Sequence, residues 1–230
     1  MTGSGRRSVY GALAVVVAVV ALAWSNSLSA PFLLDDFESI VSNPIIRELS
    51  AFDWLTPPSA IGETVSGRPV LNFTFALNHA LGGLDVRGYR AVNILFHAIS
   101  ACVLFGLTRR TLAAANHHQS ATLLAITVAL IWALHPLQTA AVTYVVQRAE
   151  SLAGLFALVT LYAFVRGAAM PNGGRWFAIS CIASLLAMGT KETAAVVPLF
   201  VLLYDRAFIS GSFRAALRGR TYYYVALAAT

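Results

Sequence analysis

Long apolar runs follow one another along this chain, and a sequence built that way has few places to fold other than a lipid bilayer. The runs cover residues 9–24, 88–107, 120–134, 151–165, 176–190 and 193–204, and a seventh begins near residue 221. A helix crosses the hydrocarbon core with about 20 apolar residues, so several of these runs must extend into their polar flanks to span. Composition agrees, with 58% hydrophobic and 11% charged residues against a soluble average that is far more polar. The expected fold is all-α, a polytopic membrane protein whose first two spans are separated by a long outer loop, about residues 25–87, carrying short helices. Arg6 and Arg7 precede the first run, which is read as a retained helix. A signal peptide is the competing reading, since SLSA at 27–30 fits a cleavage site, but Pro31 would then follow the cut. Cys102 and Cys181 both fall inside apolar runs, which points to buried thiols and gives a disulfide framework no support.

The net charge of +6 is no argument for nucleic acid until it is divided between the two sides of the bilayer. With the N-terminus inside, Arg6, Arg7, Arg109, Arg110, Arg166, Arg175, Arg206, Arg214, Arg218 and Arg220 all fall inside, with Asp205 as their sole acid. The outer side takes Arg47, Arg68, Arg87, Arg90, Arg148 and Lys191 together with nine of the ten acids: Asp35, Asp36, Glu38, Glu48, Asp53, Glu63, Asp85, Glu150 and Glu192. The basic bias fixes orientation, whereas acids have little topogenic weight. Their one-sided gathering needs another cause, and chemistry at the outer face is one.

Three outer clusters carry that chemistry. In FLLDDFES, Asp35 and Asp36 serve either as a helix cap, which needs one acid, or as a carboxylate pair in which one member is left basic enough to take a proton. A divalent cation could use the same pair, although two carboxylates specify none and no metal site is assigned. In LHPLQTAAVTYVVQRAES, Pro136 breaks the third span, and a short outer helix then leads back to the fourth. His135 there reads first as a hydrogen-bonded structural group. Arg148 offers a forked, permanent cation at the membrane boundary, suited to a phosphate headgroup. A salt bridge from Arg148 to Glu150 would need an irregular backbone, because residues two apart on a helix do not face each other. In GTKETAA, Lys191 is the chain's one lysine. It is either topological punctuation paired with Glu192 or a compact point charge for an anion.

FLLDDFESIVSNPIIRELS, RPVLNFTFALNHALGGLDVRGYRAVNILFHAISACVLF, HPLQTAAVTYVVQRAESLAGLF and KETAAVVPLFVLLYD, in that order over residues 31–206, resemble the membrane half of the transmembrane and tetratricopeptide-repeat (TMTC) O-mannosyltransferases and their bacterial relatives, members of the GT-C superfamily. The resemblance implies a GT-C-like helical bundle and an enzyme that moves a mannose-like sugar from a polyprenyl phosphate carrier to an acceptor hydroxyl, on protein, at the outer face. It also implies roles. Asp35 and Asp36 become the first-loop acidic pair, one of them activating the acceptor. Arg148 and Lys191 neutralise the leaving phosphate, Arg68 touches phosphate or protein, and Glu150 and Glu192 orient the cations, with His135 in support. A C-terminal tetratricopeptide-repeat domain is expected beyond residue 230, where the seventh run is interrupted. The arginine-dominated, alanine-rich composition suggests a bacterial inner membrane with the working face periplasmic. The alternative from another class is a non-catalytic membrane module, a transporter part or scaffold, whose outer charges bind lipid or a partner.

Overall fold

The computed structural model describes residues 3–49, 52–55 and 64–230. Glu63 and the side chain of Arg6, both used in the charge count, lie outside the described residues. Every regular element among those described is helical, as expected. The helices are α1 (Gly3–Trp24), α2 (Pro69–Gly82), α3 (Val86–Ala114), α4 (Ala121–Ala133), α5 (Thr139–Thr143), α6 (Arg148–Ala168), α7 (Gly174–Met188), α8 (Val197–Asp205), α9 (Phe213–Gly219) and α10 (Thr221–Ala228). Four stretches are long and apolar enough to cross a membrane: Arg7–Ser27, Val86–Ala114, Arg148–Ala168 and Glu192–Ser210. Ala121–Ala133 and Pro136–Thr143 meet at 54° and make a fifth if the bent pair is one span, whereas α7 is a shorter apolar helix. The chain is thus a multi-pass membrane protein. Pro136 causes the bend as expected, because it supplies no amide to continue the α4 hydrogen-bond ladder.

The spans pack through small residues. Ala121, Ala125, Ala129 and Ala133 recur every fourth position of α4 and are all buried, while Leu123 and Ile131 on its other side are exposed. That is the arrangement lipid demands. Leucine gains nothing from leaving hydrocarbon, so the helices associate by close van der Waals approach of small side chains. Val16, Val20 and Trp24 of α1 and Ile94, Ala98, Ala101 and Phe105 of α3 complete this core. The indole of Trp24 donates to the Ala133 carbonyl at 3.2 Å, and His97 Nε2 lies 2.9 Å from the same oxygen. A carbonyl only accepts, so His97 carries its proton on Nε2. One carbonyl left open by the end of α4 therefore ties three spans together.

The α6–α7 hairpin closes around two glycines. A Cβ on Gly173 would come within 2.1 Å of the Gly167 carbonyl oxygen, so the turn exists only because that atom is missing.

Alternation of the spans leaves two chemically different ends. α1, α4 and α7 run toward one end, and α3 and α6 begin there. The loop from residue 31, α2 and the turn after α7 gather at the same end, where the Val70 amide donates to the Gly189 carbonyl at 3.0 Å. This acidic end holds Asp35, Asp36, Asp85, Glu150 and Glu192. Arg109, Arg110, Arg166, Arg175 and Arg206 sit at the opposite, basic end with Asp205.

Candidate active site at the acidic end

Asp85 caps α3, its Oδ1 accepting from the Arg87 amide at 3.0 Å, and so starts the helix that carries the next two fixing groups, Arg90 and Asn93. Arg90 is buried where α3 meets the first loop. It donates to the Pro31 carbonyl at 2.6 Å and to the Thr143 carbonyl, joining the loop to the end of α5. Asp36 makes the second clasp. It is completely buried, with Oδ2 accepting from the Leu33 amide at 3.0 Å and Oδ1 from the Val146 amide at 2.8 Å. Burial pushes its carboxyl above the usual range, against the two amides and the Arg90 guanidinium, which favour the ion.

Asp35, one residue earlier, faces the other way. Its amide donates to the Tyr144 hydroxyl at 2.9 Å, a third clasp to the same turn, while the residue itself is exposed. Among the described residues its carboxylate has no ion pair, and its polar neighbour is the same Tyr144 hydroxyl. Leu34, immediately before it, holds φ +41°, a conformation that costs a branched residue about 1–3 kcal/mol and persists only where neighbours enforce it. The clasps on either side supply that enforcement. The acidic pair thus divides into a buried anchor and a presented carboxylate. It does not offer two free carboxylates to one cation, and among the described residues no group of three or more His, Cys, Asp and Glu forms a metal cluster.

Arg148 departs most from the sequence reading. It is the first residue of α6 and has no solvent exposure. Nε donates to Asn93 Oδ1 at 2.7 Å, Nη2 to the Tyr89 carbonyl at 2.9 Å and Nη1 to the Thr74 carbonyl at 3.2 Å, with Thr74 Oγ1 at 3.3 Å. The guanidinium lies over the Phe75 ring at 4.6 Å. A fork with every arm occupied in a closed pocket is not the boundary-facing phosphate group expected. It holds α2, α3 and α6 together beneath the loop. Asn93 completes the link, its Nδ2 lying 3.3 Å from the Val145 carbonyl.

Lys191 and Arg68 lie nearer the surface. Lys191 pairs with Glu150 rather than with its neighbour Glu192. Arg68 takes Glu192 in a two-armed contact, Nη2–Oε1 2.8 Å and Nε–Oε2 3.2 Å, and also donates to the Thr64 carbonyl at 2.7 Å. The two glutamates do hold cations, although Glu150 holds Lys191 and leaves Arg148 alone. His135 turns out to be a cap: its Nδ1 accepts from the Leu137 amide at 3.2 Å where the chain bends at Pro136. Pro69, the residue after Arg68, lines an apolar cleft of 420 Å³ together with Trp54, Leu55, Phe73, Leu185 and Met188. Sequence reasoning missed Arg90, Asn93 and Tyr144. The usable signal was two polar residues three apart at the head of an otherwise apolar span, where each must find a partner.

With that geometry in hand, comparison with known proteins gives a consistent answer. Residues 66–230 match the family model described as dolichyl-phosphate-mannose-protein mannosyltransferase. The chain is 29% identical over 202 residues to the human protein O-mannosyl-transferase TMTC3, an alignment covering 84% of this chain and 21% of that protein. It is 30% identical over 212 residues to human TMTC1, covering 85% and 23%. To the Caenorhabditis elegans protein O-mannosyl-transferase F38B6.6 it is 31% identical over 169 residues, covering 70% and 24%. The chain therefore spans about a fifth of the length of the curated relatives it matches. No solved structure matches it. The resemblance drawn from the four motif strings is borne out, and the chain belongs to the dolichyl-phosphate-mannose-protein mannosyltransferase family.

Proposed function

We propose that the acidic end of this chain is part of a glycosyl-transfer site that passes a mannose-like sugar from a polyprenyl phosphate to a hydroxyl on protein. The observation that carries the reading is the division of the acidic pair: Asp35 exposes a carboxylate that no cation pairs among the described residues, on a loop clasped through Asp36, Tyr144 and Arg90. A general base needs that combination of access and fixed position. The names of the relatives support the reaction class.

In this reading the acceptor hydroxyl gives its proton to Asp35 as its oxygen bonds to the anomeric carbon of the sugar. The bond from that carbon to the carrier phosphate breaks with inversion, and its electron pair leaves on the phosphate. Lys191 and Arg68 stabilise that charge. Energetics favour them over Arg148. The glutamates of both pairs are open to solvent although the cations are only partly so, and exchanging such a glutamate for a phosphate costs less than opening a closed pocket. Freeing Arg148 would instead strand buried acceptors at about 1–3 kcal/mol each. The apolar cleft beside Arg68 suits the prenyl chain of the carrier. The basic end then faces the cytoplasm and the acidic end the periplasm of a bacterial inner membrane.

The experiment is transfer by the full-length protein from a mannosyl-phosphoryl-polyprenol to an acceptor peptide. Asp35→Asn keeps size and hydrogen bonding but removes proton acceptance, and should slow transfer by about 10²- to 10⁴-fold while carrier binding survives. Asp85→Asn retains a good capping residue and should stay near the parental rate. Parental transfer by Asp35→Asn would leave the loop a structural element only.

A further inference from the structure

A groove between α1 and α3 runs to the end away from Asp35, and it joins an apolar floor to a mouth of arginines. Its volume is 690 Å³. Val9, Leu13 and Val17 of α1 form one wall and Leu95, Ile99 and Val103 of α3 the floor, while Arg109, Arg110, Tyr162 and Arg166 close it at the basic end. Among the described residues no carboxylate pairs with Arg109, Arg110 or Arg166. Asp205, the acid of that end, is already taken, with Arg220 at 2.9 Å, Tyr224 at 2.7 Å and Ser210 at 2.7 Å.

Arg110 and Arg166 are held in place around the Tyr162 ring, and Arg109 is tied to α4. Arg166 Nη1 donates to the Tyr162 hydroxyl at 3.2 Å and its guanidinium lies 4.2 Å from the Trp176 ring, while its Nε is buried with no acceptor. Arg110 sits 5.5 Å from the Tyr162 ring centroid. Arg109 is anchored through Nε to Thr122 Oγ1 at 3.1 Å. Gly106 makes room for this, since a Cβ there would meet Tyr162 Cε2 at 2.9 Å. A buried donor without an acceptor, with two further guanidinium groups lining the same groove, leaves cationic donors there that no acid among the described residues matches.

We propose that this groove binds one anionic phospholipid, its phosphate between Arg110 and Arg166 and an acyl chain lying along α1 and α3. Twenty residues of α3 separate Arg110 from Arg90, about 30 Å of helix, so the site belongs to the opposite leaflet and is distinct from the acidic end. The apolar floor selects a lipid over a free phosphate. The excess of arginine selects an anionic headgroup over a zwitterionic one, whose ammonium would meet like charge.

Native mass spectrometry of the full-length protein, offered equal amounts of phosphatidylglycerol and phosphatidylcholine, reads this directly. One phosphatidylglycerol should remain bound, preferred by about tenfold. Arg110→Gln with Arg166→Gln should reduce its retention about tenfold, and lysine at the same two positions should restore part of it. Val17→Trp leaves every charge in place but fills the groove, and should reduce retention as well. Excess glycerol phosphate should not displace the lipid. Equal retention of the two lipids overturns the proposal, as does retention unaffected by both the charge and the groove variants, or displacement by glycerol phosphate.

Discussion

Arg148 and Lys191 look alike in the sequence, each a lone cation beside a glutamate at a span boundary, yet the fold uses them oppositely. Arg148 is sealed under the loop, and Lys191 is paired near the surface. The sequence placed both at the right end of the right helices. It did not show their direction, because the partners of Arg148 are Asn93, Tyr89 and Thr74, more than fifty residues away. The same blindness covered Asp36, whose buried anchoring depends on the Val146 amide. Magnitudes separate the two cations. Arg148→Met should destabilise the protein by about 3 kcal/mol or more, read as a lowered thermal unfolding midpoint in detergent, because it strands several buried acceptors. Lys191→Met should change stability by less than about 1 kcal/mol while raising the donor KM. A parental midpoint for Arg148→Met combined with lost carrier affinity would reverse the two assignments.

At the scale of elements, every apolar run became a helix, four of them in stretches long enough to span, but their ends were not legible. The apolar run 88–107 became Val86–Ala114 because the Asp85 cap and the polar flanks extend the helix. Residues 193–204 became Glu192–Ser210 with a 3₁₀ turn at one end and a π turn at the other. Hydropathy marks where a helix must be dry, whereas caps and packing decide where it stops. The tight α6–α7 hairpin depends on Gly173; MPNGGR at 170–175 marks a turn in the sequence, but does not show which glycine lies against another backbone. The structure does: Gly154 has nothing within 4 Å of a built Cβ, whereas Gly173 faces the Gly167 backbone. Gly173→Ala should therefore cost about 1–3 kcal/mol by forcing the hairpin apart. Gly154→Ala should be neutral or stabilise by about 0.5–1 kcal/mol through helix propensity. Thermal unfolding of the two variants checks this, and equal effects would remove the close approach from the account.

For the whole molecule, the one-sided distribution of charge in the sequence became two physical ends. Loop, α2 and the termini of α1, α3, α4, α6 and α7 converge at the acidic end, and a groove mouthed by arginine lies at the other. This polarity was readable because topology depends on counting charges across spans and needs no knowledge of contacts. Whether the acidic end is both the outer face and the working face is tested through Leu34, which is 80% exposed and adjoins Asp35. The measurement uses full-length Leu34→Cys, with Cys102 and Cys181 replaced by serine, in sealed cells treated from outside with a bulky membrane-impermeant thiol reagent. The account predicts complete labelling from outside and loss of sugar transfer in proportion to labelling, with the unlabelled variant active. Labelling only after the inner face is opened, or full transfer by the fully labelled protein, would contradict it.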